Sequence, residues 1–248
     1  MFILSILFFI TAILYSSVGF GGGSTYLALL LIWDFPYYIF PVIALICNII
    51  VVSGNSVNYS RAGNFNFRLL TPYLIGSVPL AFIGGSIRIE KELFEIFLFL
   101  VLTIAGITLF FQNKTFKDNN VKYSFLPLYL SLIIGSILGL ISGIVGIGGG
   151  IFLSPILFLL KAAPPKQIIT ATSFFILINS ISGVIGQLTK DYVFDQILNY
   201  WLLFLAVLIG GQIGNYINLK IFSNRTLALV TACLVIFVAI RMGFKILW

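Results

Sequence analysis

The sequence has no histidine, two cysteines and only seven acidic residues, and charged side chains make up 8% of its 248 residues. A soluble domain carries about 25% charged residues, so this chain cannot cover a soluble surface. That excludes a cytosolic globular enzyme, a disordered protein and a nucleic-acid module. The cysteines, Cys47 and Cys233, both fall inside apolar runs. A zinc site takes about four N, S or O ligands, and a disulfide framework takes cysteines outside the bilayer. Each cysteine therefore reads as a small apolar packing residue. No cofactor is expected and no metal site. No Ser/His pair, metal cluster or central carboxylate is present to support an enzyme. The missing mid-membrane Asp or Glu also argues against a carboxylate proton relay. Residues 1–18 lack the basic start of a signal peptide, and a Gly-rich turn follows where a cleavage site would be. They read as a retained first membrane segment.

What the chain has instead is apolar: 60% hydrophobic and 16% aromatic residues, with a mean hydropathy of +1.14. Long apolar stretches cover 2–18, 37–57, 69–87, 93–111, 125–145, 168–188, 197–217 and 226–244. Each is long enough to cross about 30 Å of hydrocarbon at 1.5 Å per residue. Only Glu95 and Arg241 fall within these windows, near their ends. Two shorter pieces, 25–33 and 151–160, suit half-helices or re-entrant segments. The runs are continuous, without the alternation of a barrel. The expected fold is therefore an all-α polytopic membrane protein with about eight long transmembrane helices and two Gly-broken short segments. Pro72 and Pro127 are expected in first helical turns, and Pro79 lies mid-segment. The net charge of +7 reads as membrane topology and contact with anionic lipid.

The chain repeats itself. Val18-Gly19-Phe20-Gly21-Gly22-Gly23 matches Val145-Gly146-Ile147-Gly148-Gly149-Gly150 at an offset of 127. Leu80–Gly84 aligns loosely with Gly210–Gly214 at an offset of 130. Two homologous repeats, 1–112 and 124–248, are joined by a hydrophilic connection, 113–123. An even number of crossings per repeat makes them parallel and splits the basic residues eight to six. An odd number inverts them and splits these residues nine to five: Arg61, Arg68, Lys114, Lys117, Lys122, Lys161, Lys166, Lys220 and Arg225 against Arg88, Lys91, Lys190, Arg241 and Lys245. The positive-inside rule favours inverted repeats with both termini outside.

Glycine runs inside membrane segments break helices, and such backbone is tolerated only where protein or a cavity surrounds it. A helix restarting at Ser24-Thr25 or Ile151-Phe152 would aim its N–H groups and positive dipole end at whatever lies beside the turn. Matched breaks in two halves point to a transporter's central site. Scattered glycines such as Gly84 and Gly135 read as helix packing. Asn48, Ser53, Asn55, Ser56, Thr170, Thr172, Ser173, Asn179, Ser180 and Gln187 can donate to an oxyanion and can equally bond across helices.

These clusters resemble the signature of the TauE/SafE family of membrane permeases, described as sulfite exporters. The matching residues are Gly143 to Gly150, Pro155, Ala171-Thr172-Ser173 and Asn179-Ser180-Ile181-Ser182-Gly183, with Ser16 to Gly23 and Asn48 in the first half. The first half has Ala28 where the second has Pro155, and Ser24 where the second has Ile151. The resemblance implies a secondary transporter, an exporter in the cell inner (plasma) membrane, for sulfite or organosulfonates. The alternative is an anion channel, or a permease for another small organic anion. The expected substrate-binding residues are Gly21, Gly22, Gly23, Ser24, Asn48, Gly148, Gly149, Gly150, Ile151, Thr172, Ser173 and Asn179. The expected partners are a small anion and the lipid bilayer, with a proton travelling on the substrate and no nucleic acid. The expected assembly is a monomer or homodimer.

Overall fold

A computed structural model describes residues 1–17, 19–111, 124–190 and 197–217, together with Ile236, Ile240 and Gly243. The fold is helical throughout: α1 (Phe2–Ser16), α2 (Gly23–Ile32), α3 (Phe40–Arg61), α4 (Phe67–Ser86), α5 (Lys91–Phe111), α6 (Leu128–Val145), α7 (Gly150–Leu159), α8 (Pro165–Gln187) and α9 (Trp201–Ile217). Single 3-10 turns precede α3 and α9. Seven of the eight long runs and both short pieces correspond to these helices; the run 226–244, apart from Ile236, Ile240 and Gly243, lies outside the described residues. Four helices (Tyr37–Arg61, Phe67–Ser86, Leu128–Val145 and Lys166–Gln187) are long and apolar enough to cross a membrane. Phe2–Ser16, Gly23–Ile32 and Trp201–Tyr216 are shorter apolar helices.

The start of α4 differs from the sequence expectation. The Asn66 side chain accepts a hydrogen bond from Leu69 N–H at 3.2 Å and caps the helix there. α4 therefore begins at Phe67, and Pro72 lies inside it with Pro79 instead of in its first turn. Pro127 caps α6, and Pro165 opens α8.

Large apolar side chains recur every three or four residues on the outer faces. α9 exposes Trp201, Leu205, Leu208, Ile209, Ile213 and Tyr216, and α5 exposes Leu93, Ile96, Phe97, Leu100, Ile104 and Ile107. Such stripes suit lipid contact, because hydrocarbon imposes no penalty on them. The interior, apolar for the most part, also holds polar side chains: Asn48, Asn55, Ser77, Ser142, Thr170, Ser173, Asn179 and Ser180 are all fully buried. Cys47 is a free, fully buried thiol, as a packing residue should be.

Glycine lets the backbones approach closely. Along α4 and α6, Gly135 lies on Tyr73, Gly139 on Ser77 and Gly143 on Ala81, while Gly84 lies on the Leu140 carbonyl. Residue numbers rise together in these pairs, so α4 and α6 run parallel. Ser182 Oγ donates to the Val78 carbonyl at 2.7 Å and Gly186 lies on Phe82, which sets α8 parallel to α4. On the other side Gly210 lies on Phe9 and Gly214 on Ile13, so α9 runs parallel to α1. Gly211 meets Val51 and Gly54 meets Asn215, so α3 joins that set. α3 and α8 cross antiparallel: Leu45, near the start of α3, touches Gly183, near the end of α8. The core thus consists of two groups of three parallel helices, α1/α3/α9 and α4/α6/α8, which meet at α3 and α8.

Candidate functional site

Both glycine clusters break helices in the same way. α1 ends on a left-handed Gly19 (φ +86°), where Gly19 N–H donates to Ser16 and Phe20 N–H to Tyr15, a Schellman-type stop. α6 ends on Gly146 (φ +89°). Each following helix opens on another left-handed glycine, Gly22 (φ +90°) for α2 and Gly149 (φ +73°) for α7. Both helices have ten residues. Their bonding starts with Thr25 N–H to the Gly22 carbonyl and Phe152 N–H to the Gly149 carbonyl. The N–H groups of Gly23, Ser24, Gly150 and Ile151 therefore have no acceptor within their helices. The ends of α2 and α7 carry the positive pole of the helix dipole.

Asn48 joins the two breaks. It lies in the middle of α3 with no exposure, and its Nδ2 donates to the Ile147 carbonyl in the second break at 3.1 Å. A Cβ on Gly21 would overlap Asn48 Oδ1. One on Gly23 would lie 2.8 Å from Asn48 Nδ2 and 2.9 Å from the Ile147 oxygen, and one on Gly148 2.9 Å from Nδ2. These three glycines are small because the Asn48 amide occupies the space beside them. A reciprocal bond runs the other way: Ser173 Oγ of α8 donates to the Gly19 carbonyl of the first break at 2.6 Å. Asn48 and Ser173 thus do the same work, each holding the break of the opposite half.

Of the expected binding residues, Gly21, Gly23, Asn48 and Gly148 form one cluster. Thr172 borders Gly150, where a Cβ would lie 2.9 Å from its Cγ2. Gly149 packs on Phe175 and Leu138, and Gly22 on Tyr15 and Tyr26. Ser24 and Ile151 are buried beside the breaks, with Ser24 Oγ 3.4 Å from the Tyr15 hydroxyl. Asn179 Nδ2 is occupied by the Phe175 carbonyl of its own helix at 2.8 Å. Two participants were not among the expected site residues. Ser180 borders Gly148, and Tyr15 donates to or accepts from Thr25 Oγ1 at 2.6 Å. The run of polar residues in α8 signalled Ser180; nothing in the pattern signalled Tyr15.

Several buried atoms here have no hydrogen-bond partner among the described residues: Asn48 Oδ1, Thr172 Oγ1, Asn179 Oδ1 and Ser180 Oγ. Orphaned polar atoms are costly away from water; of these residues, Asn48 borders Gly21, Thr172 borders Gly150 and Ser180 borders Gly148. Lys190, just beyond α8, is the only buried charged side chain among the described residues. Its Nζ donates to Gln187 Oε1 at 2.8 Å. Burial, and then the nearby Arg88 charge, lowers its pKa to about 8.

The family model described as "Sulfite exporter TauE/SafE" matches residues 4–242. The chain belongs to the TauE/SafE family. A "Probable membrane transporter protein" of Sinorhizobium fredii is 27% identical over 248 residues, covering 99% of this chain and 97% of its own. One of Methanocaldococcus jannaschii is 29% identical over 242 residues, covering 88% and 86%. One of Bacillus subtilis is 26% identical over 139 residues, covering 53% and 48%. No solved structure matches the chain. As a TauE/SafE protein it is a membrane transporter, and the paired breaks are its most distinctive internal feature.

Proposed function

We propose that this TauE/SafE transporter is a secondary carrier that exports small sulfur-containing anions, sulfite or organosulfonates, across the cell inner membrane. The observation that carries the reading is the meeting of two helix N-termini, α2 and α7, at the Asn48 amide. An anion there faces N–H groups and two positive dipole ends without any buried fixed charge. Asn48, Thr172 and Asn179 supply side-chain bonds, while Ser173, whose one O–H goes to the Gly19 carbonyl, holds the first break in place.

The proposed architecture is two inverted repeats, 1–112 and 124–248, joined by 113–123. The left-handed glycines support it: Gly19 and Gly22 stand 127 residues before Gly146 and Gly149. So does the packing. Gly84 of α4 meets the Leu140 carbonyl of α6, and Gly214 of α9 meets the Ile13 carbonyl of α1, again 127 residues apart. α1, α3 and α4 run opposite to their counterparts α6, α8 and α9, which supports inversion. The helix ends agree with the nine-to-five division of basic residues. Asn66 bonds to Gln167 at 2.9 Å and Arg68 stacks over Phe125 at 5.7 Å, which gathers Arg61, Arg68, Lys161 and Lys166 at one end. Arg88 and Lys190 lie together at the other.

The test is uptake of radiolabelled sulfite into proteoliposomes holding only this chain, with and without a pH gradient and competing sulfonates. Saturable uptake accelerated by substrate on the far side supports the carrier. Large unitary currents would make it a channel, and folded protein with no uptake above empty liposomes would remove sulfite as substrate.

A further inference from the structure

Asp34 and Lys161 stand 127 residues apart, the spacing of the paired glycine breaks. Each is a left-handed residue just past a short helix, with φ +51° after α2 and +49° after α7. The bonding matches as well. Asp34 N–H donates to the Leu31 carbonyl and Phe35 N–H to that of Leu30, as Lys161 N–H does to Phe158 and Ala162 N–H to Leu157. The charges are opposite. A helix C-terminus is the negative pole of the dipole and favours a cation. Lys161 follows that rule and Asp34 breaks it. The Asp34 carboxylate has no hydrogen bond or ion pair among the described residues to offset this.

Asp34 lines a cavity of about 410 Å³ between the α2–α3 connection and the start of α5, a volume within the range of small-ligand sites. Phe35, Tyr37, Phe40 and Phe94 wall it, and the Tyr37 and Phe40 rings each lie 6.0 Å from that of Phe94. Lys91 and Glu95, one turn apart on α5, line it too. The Lys91 ammonium is likewise without a hydrogen bond or ion pair among the described residues. Two opposite charges thus border one cavity without pairing with each other. An ammonium suits the Asp34 side, where a carboxylate, a negative helix pole and aromatic faces all attract it. An anionic oxygen suits Lys91. The lipid-facing stripe of α5 starts at the cavity with Leu93, Ile96 and Phe97, and Trp33 beside Asp34 is exposed as an interfacial residue would be.

We propose that this cavity binds the zwitterionic headgroup of an ethanolamine phospholipid, with Asp34 taking the ammonium and Lys91 the phosphate. The acyl chains lie along the α5 stripe. The site is separate from the glycine breaks and does not depend on which anion is carried.

The test is equilibrium binding of lipids to the purified, delipidated full chain in detergent, with melting temperature recorded alongside. Phosphatidylethanolamine and phosphatidylglycerol with the same chains share the phosphate, and only the first has the ammonium. Loss of one charge-assisted hydrogen bond should make phosphatidylglycerol bind roughly 10- to 150-fold more weakly. Asparagine tolerates left-handed backbone, so Asp34→Asn should fold, melt no lower than wild type without lipid, and bring the ratio of the two affinities towards one. Lys91→Gln should weaken both lipids and preserve the ratio. Should either variant not fold, the wild-type ratio decides alone. Equal wild-type affinities, or a ratio that Asp34→Asn leaves unchanged, would overturn the proposal. Glycerophosphoethanolamine, the same headgroup without chains, should bind far more weakly; equal affinity would overturn the lipid assignment and make the ligand a soluble zwitterion. None of these outcomes bears on the transport reading, which stands or falls with anion uptake.

Discussion

Gly63 and Gly149 share a backbone φ of +73°, yet their surroundings differ completely. A Cβ on Gly63, between α3 and α4, meets nothing within 4 Å. One on Gly149 lies 2.9 Å from the Phe175 ring and 3.3 Å from the Leu138 carbonyl. The pair separates backbone strain from crowding. Left-handed backbone costs an L-residue about 1–2 kcal/mol, which is all that Gly63→Ala should lose. Gly149→Ala adds overpacking of about 1–3 kcal/mol, for a total of about 2–5 kcal/mol. That strain falls on the turn that aims the α7 N-terminus. Gly63→Ala should melt slightly lower in detergent and transport normally. Gly149→Ala should melt clearly lower and lose most uptake, and Gly149→Val should lose all of it while still inserting. Equal melting and equal uptake for Gly63→Ala and Gly149→Ala would refute the claim that the α7 break is held by its packing.

Other substitutions probe neighbouring contacts. Asn48→Asp leaves the Ile147 carbonyl without its donor and sets a negative charge between two N-termini, so anion uptake should vanish from protein that still inserts; normal uptake would remove Asn48 from the path. Ser173→Ala deletes the bond to the Gly19 carbonyl, and a lowering of stability by about 0.6–2 kcal/mol is expected for an interhelical bond in a bilayer, read by thermal melting. Lys190 has a folded pKa of about 8, below the usual 10.5. The folded state therefore prefers the neutral amine, and stability should rise as pH climbs from about 8 towards 10.5. Lys190→Gln should flatten that part of the melting profile; an unchanged slope would place the titration elsewhere.

Much of the fold was legible in the sequence, because segment length and glycine are local signals. The short pieces expected at 25–33 and 151–160 are helices at Gly23–Ile32 and Gly150–Leu159. Gly84 and Gly135, read as packing glycines, do lie on facing carbonyls. The errors lay where tertiary contact decides. Pro72 was expected in a first turn because the apolar run starts at Leu69; the Asn66 cap moved the start back. Ser173, one of many polar residues in α8, holds the first break as Asn48 holds the second. No periodicity could show this, since each bond joins a helix of one half to the break of the other.

The packing also defines what can move. The two sequence halves are not separate bodies: α4 of the first half is bound tightly to α6 and α8 of the second, and α9 to α1 and α3. At those seams glycine sits directly on backbone, as at Gly139 on Ser77 and Gly214 on Ile13, so sliding would create immediate overlap. The join between the two groups is mixed: Gly146 at the end of α6 sits directly on the Pro41 backbone of α3. Leu45 meets Gly183 through its side chain, and the breaks are tied across by the single bonds Asn48–Ile147 and Ser173–Gly19. Such bonds are worth about 0.6–2 kcal/mol each in bilayers, a cost that ligand binding at the same breaks can offset. For a carrier that alternates by moving packed groups, the bodies to test are α1/α3/α9 and α4/α6/α8, each assembled from both halves. A disulfide engineered across α4 and α6 should leave transport unchanged, whereas one across α3 and α8 should stop it until reduced. Loss of transport with the α4–α6 crosslink alone would show that the sequence halves, not these exchanged groups, are the moving parts.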